Sequence, residues 1–192
     1  MTRRPFRLYA VAAVAVMAAG PAFAQPASAP AAASATDRRF VQEAGAASAA
    51  EIALGKLATE KASRDEVKQF GQQMVADHTK SGDELKQLAG AKGMTPSDTP
   101  TPAQQKAAGQ IAQRSGAAFD KSFLNQMALD HKKTIALFRR ESRSGSDPDL
   151  KAYASKTLPT LEQHLTMVRG LQTKGGPMNR AINERSAASA PQ

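Results

Sequence analysis

The chain has 192 residues, three histidines, seven methionines, no cysteine or tryptophan, and a formal net charge of +9. The missing cysteines exclude a disulfide framework, a thiolate metal site and a lipid-attachment cysteine. Nucleic acid is not indicated either, because removing Arg3, Arg4 and Arg7 from the +9 leaves +6, spread among acids as in Arg64-Asp65-Glu66 and Arg139-Arg140-Glu141, with no aromatic-basic motif. Such a charge pattern predicts solvated helix faces and, at most, weak and unspecific attraction to anionic envelope surfaces.

The three early arginines precede an apolar run from Leu8 to Ala19, and Ala22-Phe23-Ala24 offers a small-x-small cleavage site, so residues 1–24 are expected to be a secretory signal peptide. The run is shorter than the roughly 20 residues of a spanning helix. No later stretch replaces it, which predicts an exported protein without a transmembrane segment. The periplasm is the expected compartment, with outer-membrane association or secretion as variants. Residues 25–36 are mostly Ala, Pro and Ser and read as a flexible tether, while Gly175-Gly176-Pro177 closes the last helix and opens a polar tail over 173–192. A single domain remains over 37–172, long enough to bury a core without covalent staples.

Within that domain apolar residues recur at helical spacing and no period-two alternation is sustained, so the fold class is all-α. A first long helix runs from Asp37 to about Ala62 with Phe40, Ala44, Leu54 and Ala58 on one face. The second opens on an expected capping box, Ser63 with Glu66, and presents Val67, Phe70, Met74 and Leu85. A Pro-containing linker follows, with a short helix over about 103–113. The third long helix covers about 116–144 with Phe123, Met127, Ile135 and Phe138 inward. The fourth starts at Asp147-Pro148 and carries Leu150, Tyr153, Leu161 and Val168, with Pro159 on its outer side.

A shift of 83 residues superposes Phe40-Val41 on Phe123-Leu124, Ile52-Ala53-Leu54 on Ile135-Ala136-Leu137, and Ser63-x-x-Glu66-Val67-Lys68-x-Phe70 on Ser146-x-x-Asp149-Leu150-Lys151-x-Tyr153. The domain therefore reads as two helical hairpins. Helices of about 26 residues are about 39 Å long, and the linker can run that length as one long crossover, the arrangement of a ferritin-like four-helix bundle.

These residues also carry a resemblance. Glu51-Ile52-x-Leu54-Gly55-x-Leu57-Ala58, Phe70-Gly71-x-x-Met74-x-x-Asp77-His78, Asp130-His131 and Thr157-Leu158-Pro159-x-Leu161-x-x-His164-Leu165 resemble an exported bacterial ferritin-like "domain of unknown function" family whose members are labelled outer-membrane or periplasmic proteins. The resemblance spans nearly all of 37–171. It implies a periplasmic four-helix bundle and carries no established reaction.

The three histidines fall on the inward stripes of three different long helices, and Glu51 falls on the stripe of the fourth, about 20° from Phe40 at 100° per residue. Counted from the hairpin turns, all four lie within roughly 10 Å of one level. Polar groups at core positions need partners. One reading is a buried hydrogen-bonded or ion-paired network that fixes a single packing of an Ala-rich core, in a non-catalytic bundle with a scaffolding or stress-related role. The other is a metal-binding or metal-dependent oxidoreductase bundle, with a transition-metal site for zinc, iron, nickel or copper built from Glu51, His78, His131 and His164, and Asp77 and Asp130 as further ligands or as acceptors behind the histidines. A methionine variant adds Met74, Met127 and Met167, whose thioethers would favour copper(I). A di-iron carboxylate centre is not expected, because the residues three before the histidines are Val75, Ala128 and Leu161 in place of glutamate. No cysteine nucleophile, nucleophile elbow or phosphate loop points to other catalysis.

Overall fold

The computed structural model describes residues 33–174. Helix α1 spans Ala35–Lys61, α2 Asp65–Gly90, α3 Pro102–Ala112, α4 Gly116–Ser144 and α5 Pro148–Lys174, with no strand among the described residues. The expected signal peptide, most of the tether and the tail beyond 174 lie outside them. None of these helices is long and apolar enough to cross a membrane.

Each hairpin holds together through its own pair, α1 with α2 and α4 with α5, and the hairpins join through α1 against α4 and α2 against α5. The crossover carries α3, which touches α1 and α4. It starts where Thr101 and Gln104 cap each other across the first turn, and Pro102 occupies a position whose N–H needs no helical partner. Pro159 is accommodated within α5 on its exposed side, as its register predicts.

Two helix starts differ from expectation. Helix α1 begins two residues into the presumed tether, because Ser34 Oγ accepts from Asp37 N–H while the Asp37 carboxylate accepts from Ser34 N–H. The expected Ser63–Glu66 box does not form: α2 is entered through Arg64 without a side-chain cap. Ser63 instead donates from both N–H and Oγ to Asp120 of α4, and Arg64 N–H donates to the same carboxylate, at 2.9, 2.7 and 3.1 Å. A charged acceptor from another helix outcompetes the local partner. Asp37 does the same at the opposite turn, where it accepts from Ser146 N–H at 2.9 Å. Asp37 and Asp120 are themselves 83 residues apart, so each hairpin's first helix anchors the other hairpin's turn.

Close packing within the first hairpin depends on two glycines. A Cβ on Gly71 would stand 2.7 Å from the Gly55 carbonyl oxygen, and one on Gly55 would stand 2.8 Å from the Gly71 carbonyl oxygen. The apolar core then divides in two. Phe40, Leu85, Phe138, Leu150 and Tyr153 belong to one cluster and Leu54, Phe70, Met74, Phe123 and Met127 to the other. On α1, α2 and α4 the residue singled out in the sequence falls between the two clusters, and on α5 His164 lies between Leu161 of the first and Val168 of the second, with Leu165 of the first beside it.

Candidate metal centre

The polar layer consists of Glu51 from α1, His78 from α2, His131 from α4 and His164 from α5, all buried, with Glu51 and His131 at 0 % exposure. Ring centroids of the three imidazoles are 5.4 to 5.8 Å apart. One nitrogen from each imidazole lies within 4.8 Å of the corresponding nitrogens of the other two. The sequence-predicted set thus meets at one level.

The hydrogen bonds around the rings fix where their protons must be. His131 Nδ1 is 2.9 Å from the Met127 carbonyl oxygen, which can only accept, so Nδ1 carries a proton, and a ring with that single proton presents Nε2 as a bare lone pair. His164 Nε2 is 2.9 Å from Asp77 Oδ2, and a carboxylate likewise accepts, which leaves Nδ1 bare. These two bare nitrogens face each other at 3.3 Å. Two lone pairs at that distance repel unless a cation, either a proton or a metal ion, stands between them.

Glu51 is the centre's anion. Its Oε2 lies 2.9 Å from His78 Nε2 and its Oε1 3.7 Å from His131 Nδ1. The His78 contact is close enough for charge attraction but lacks hydrogen-bond alignment, so both carboxylate oxygens and His78 Nε2 are buried without a hydrogen-bond partner. Burial acts to raise the Glu51 carboxyl, yet attraction to His78 and His131 outweighs it and holds the group below the usual carboxylate range. His78 is the converse, with burial lowering it and Glu51 raising it to a net position above an ordinary histidine. His164 is pushed down by burial and by the neighbouring imidazoles, against its hydrogen bond to Asp77, and so favours the neutral ring.

The two flanking aspartates part company. Asp77, 36 % exposed, reaches across to α5 and orients His164. Asp130 turns to its own helix, where both oxygens accept from Gln126 Nε2 at 2.9 Å, while burial and the charge of Glu51 raise its carboxyl against that bond and the charge of His131. Met74 and Met127 are buried in the neighbouring apolar cluster and Met167 packs against it; Met127 serves His131 through its carbonyl oxygen. That carbonyl carries no side-chain signature, so the sequence offered no signal for it. The turn-anchoring Asp37 and Asp120 were also not singled out, although the 83-residue shift aligns them.

Comparison with known proteins gives the chain a family. The model of a family described as "Domain of unknown function (DUF4142)" matches residues 22–171. The chain belongs to this family. The crystal structure of a DUF305 fragment from Deinococcus radiodurans is similar in fold, with a TM-score of 0.66 at 14 % identity, covering 74 % of this chain and 98 % of the fragment. No curated protein matches the chain.

Proposed function

We propose that this member of the family is an exported, ferritin-like four-helix bundle that binds one divalent first-row metal ion between Glu51, His78, His131 and His164. The observation that carries the reading is the pair of bare imidazole nitrogens 3.3 Å apart. A tetrahedral ion with metal–nitrogen bonds of about 2.0–2.1 Å separates two of its nitrogens by about 3.3 Å. The outer nitrogens support the same conclusion: metal-bound imidazoles characteristically donate their second N–H to a carboxylate or a backbone carbonyl, as His164 does to Asp77 and His131 to Met127. Three imidazoles and a carboxylate suit zinc or copper(II), and also nickel or iron. The absent Glu-x-x-His motifs argue against a di-iron centre.

A second reading, a metal-free structural network, draws on the buried 2.9 Å contact between His78 and Glu51. Metal analysis of protein purified without an affinity tag, dialysed against zinc or copper(II) and gel-filtered, separates the two. One metal ion per chain, lost in the His78→Ala/His131→Ala double variant, is the expected result. A wild type that elutes free of metal, with a double variant that melts far lower, would overturn it in favour of the network. Export is tested by fractionating cells that express the full chain: cleavage after Ala24 and release with the periplasmic fraction are expected.

A further inference from the structure

The 83-residue register sets Ser48 opposite His131, Ser81 opposite His164, Thr134 opposite Glu51 and Leu161 opposite His78. All four equivalents line the same small cavity. It has a volume of about 10 Å³, and Glu51 and His78 complete its wall beside them. Where one half of the polar layer has two imidazole rings, the other has two hydroxymethyl groups, and a small part of the space the rings would fill stays open against the Glu51 and His78 side of the centre. That volume is of the order one water molecule needs.

The lining also selects what can enter. Ser48 Oγ donates its one proton to the His78 carbonyl oxygen at 2.9 Å and keeps only acceptor capacity. Tyr153 OH donates to the Ser81 carbonyl oxygen at 3.0 Å, so in the 2.8 Å contact between Tyr153 OH and Ser81 Oγ the serine is the donor and its remaining lone pair can only accept. Both Glu51 oxygens are acceptors without a hydrogen-bond partner. A molecule facing these acceptors must bring two donor hydrogens and keep a lone pair for the cation. Dioxygen, azide and cyanide lack that combination.

We propose that the cavity seats a water molecule as an exchangeable ligand of the metal ion held by the histidines and Glu51. The centre is then an open site, in contrast to the closed coordination of purely structural metal sites. This inference rests on the metal reading above, and its test distinguishes the two. The full chain loaded with copper(II) in ¹⁷O-enriched water is expected to show imidazole nitrogen couplings together with an ¹⁷O hyperfine coupling by pulsed electron paramagnetic resonance. Ala44→Val, which pushes methyl groups into the cavity and leaves every proposed metal ligand in the sequence, is expected to keep the nitrogen couplings and lose the oxygen coupling. Leu161→Met, close in volume but longer in reach, is the second filler should Ala44→Val fail to fold. Nitrogen couplings without ¹⁷O coupling in the wild type, or ¹⁷O coupling undiminished in a folded filler variant, would overturn the proposal and leave the metal reading intact. Absence of nitrogen couplings would remove both.

Discussion

Glu141 offers a measurable consequence of packing like charges at a helix end. It lies on the last turns of α4, 1 % exposed, near Asp37 and Asp147. Its Oε1 has no hydrogen-bond partner. Burial first, then the hydrogen-bonding and negative charge of Asp37 and the charge of Asp147, push its carboxyl up from 4.5 to about 7, with Arg140 opposing weakly. Since a tenfold change in proton affinity is 1.36 kcal/mol, this displacement corresponds to about 3 kcal/mol as an upper figure. The folded state holds the proton more tightly than the unfolded chain does. The favourable contribution is therefore complete below about 4.5 and is lost as pH rises through about 7. Glu141→Gln keeps a donor toward Asp37 and cannot ionise, so its stability should not fall over that window. Urea unfolding at pH 5 and pH 8 is the assay. The variant is expected to match the wild type within about 1 kcal/mol at pH 5 and to exceed it by about 2–3 kcal/mol at pH 8. A difference that is the same at both pH values, or a variant weaker at pH 8, would refute the assignment of a buried, proton-holding carboxyl.

Gly71→Ala should destabilise by about 1–3 kcal/mol in thermal or urea unfolding, because the new methyl meets the Gly55 carbonyl oxygen at 2.7 Å and backbone must shift. Gly109→Ala, in α3 with nothing within 4 Å of the added Cβ, should be neutral or stabilising by up to about 1 kcal/mol. Asp120→Ala removes the acceptor for two backbone N–H groups and the Ser63 hydroxyl, and a loss of about 2–4 kcal/mol is expected, with faster amide exchange at Ser63 and Arg64 as the local check.

The parts of the fold legible in the sequence were those that long-range periodicity encodes. Four amphipathic stripes, one Pro-rich crossover and the 83-residue repeat each draw on many residues, so local exceptions do not erase them. The starts of α1 and α2 were less legible because capping is a competition. Ser63 has a local partner in Glu66, but the winning acceptor, Asp120, is 57 residues away and its reach depends on the packing of α4. The site shows the same division. Glu51 and the three histidines were readable from their stripes. The sequence could not separate Asp77 from Asp130, since both precede a histidine and both lie one residue round a helix from the core. Their difference arises across the helix interface, where Asp77 meets His164 while Asp130 finds Gln126 one turn back on α4.

The difference between the two halves also bears on charge. On the metal reading proposed above, with neutral imidazoles, a divalent ion beside the buried Glu51 carboxylate and the partly exposed Asp77 carboxylate would make a set whose formal charges cancel, and cancellation matters most for Glu51, from which water is excluded. A symmetric layer, with histidine at positions 48, 81 and 161 and glutamate at 134, would bring a second carboxylate and three more imidazoles into the same buried level. It would need a second cation to balance them. Ser48, Ser81, Thr134 and Leu161 remove that demand, since none of them ionises in this environment and the two serines each spend their proton on a neighbouring acceptor. The two unlike halves thus supply one set of donors, one counter-charge and one adjoining space of about 10 Å³. On that basis Ser81→His, which places a ring in the serine half, should close the space and lower the urea unfolding midpoint by overpacking and by adding a buried imidazole without a hydrogen-bond partner.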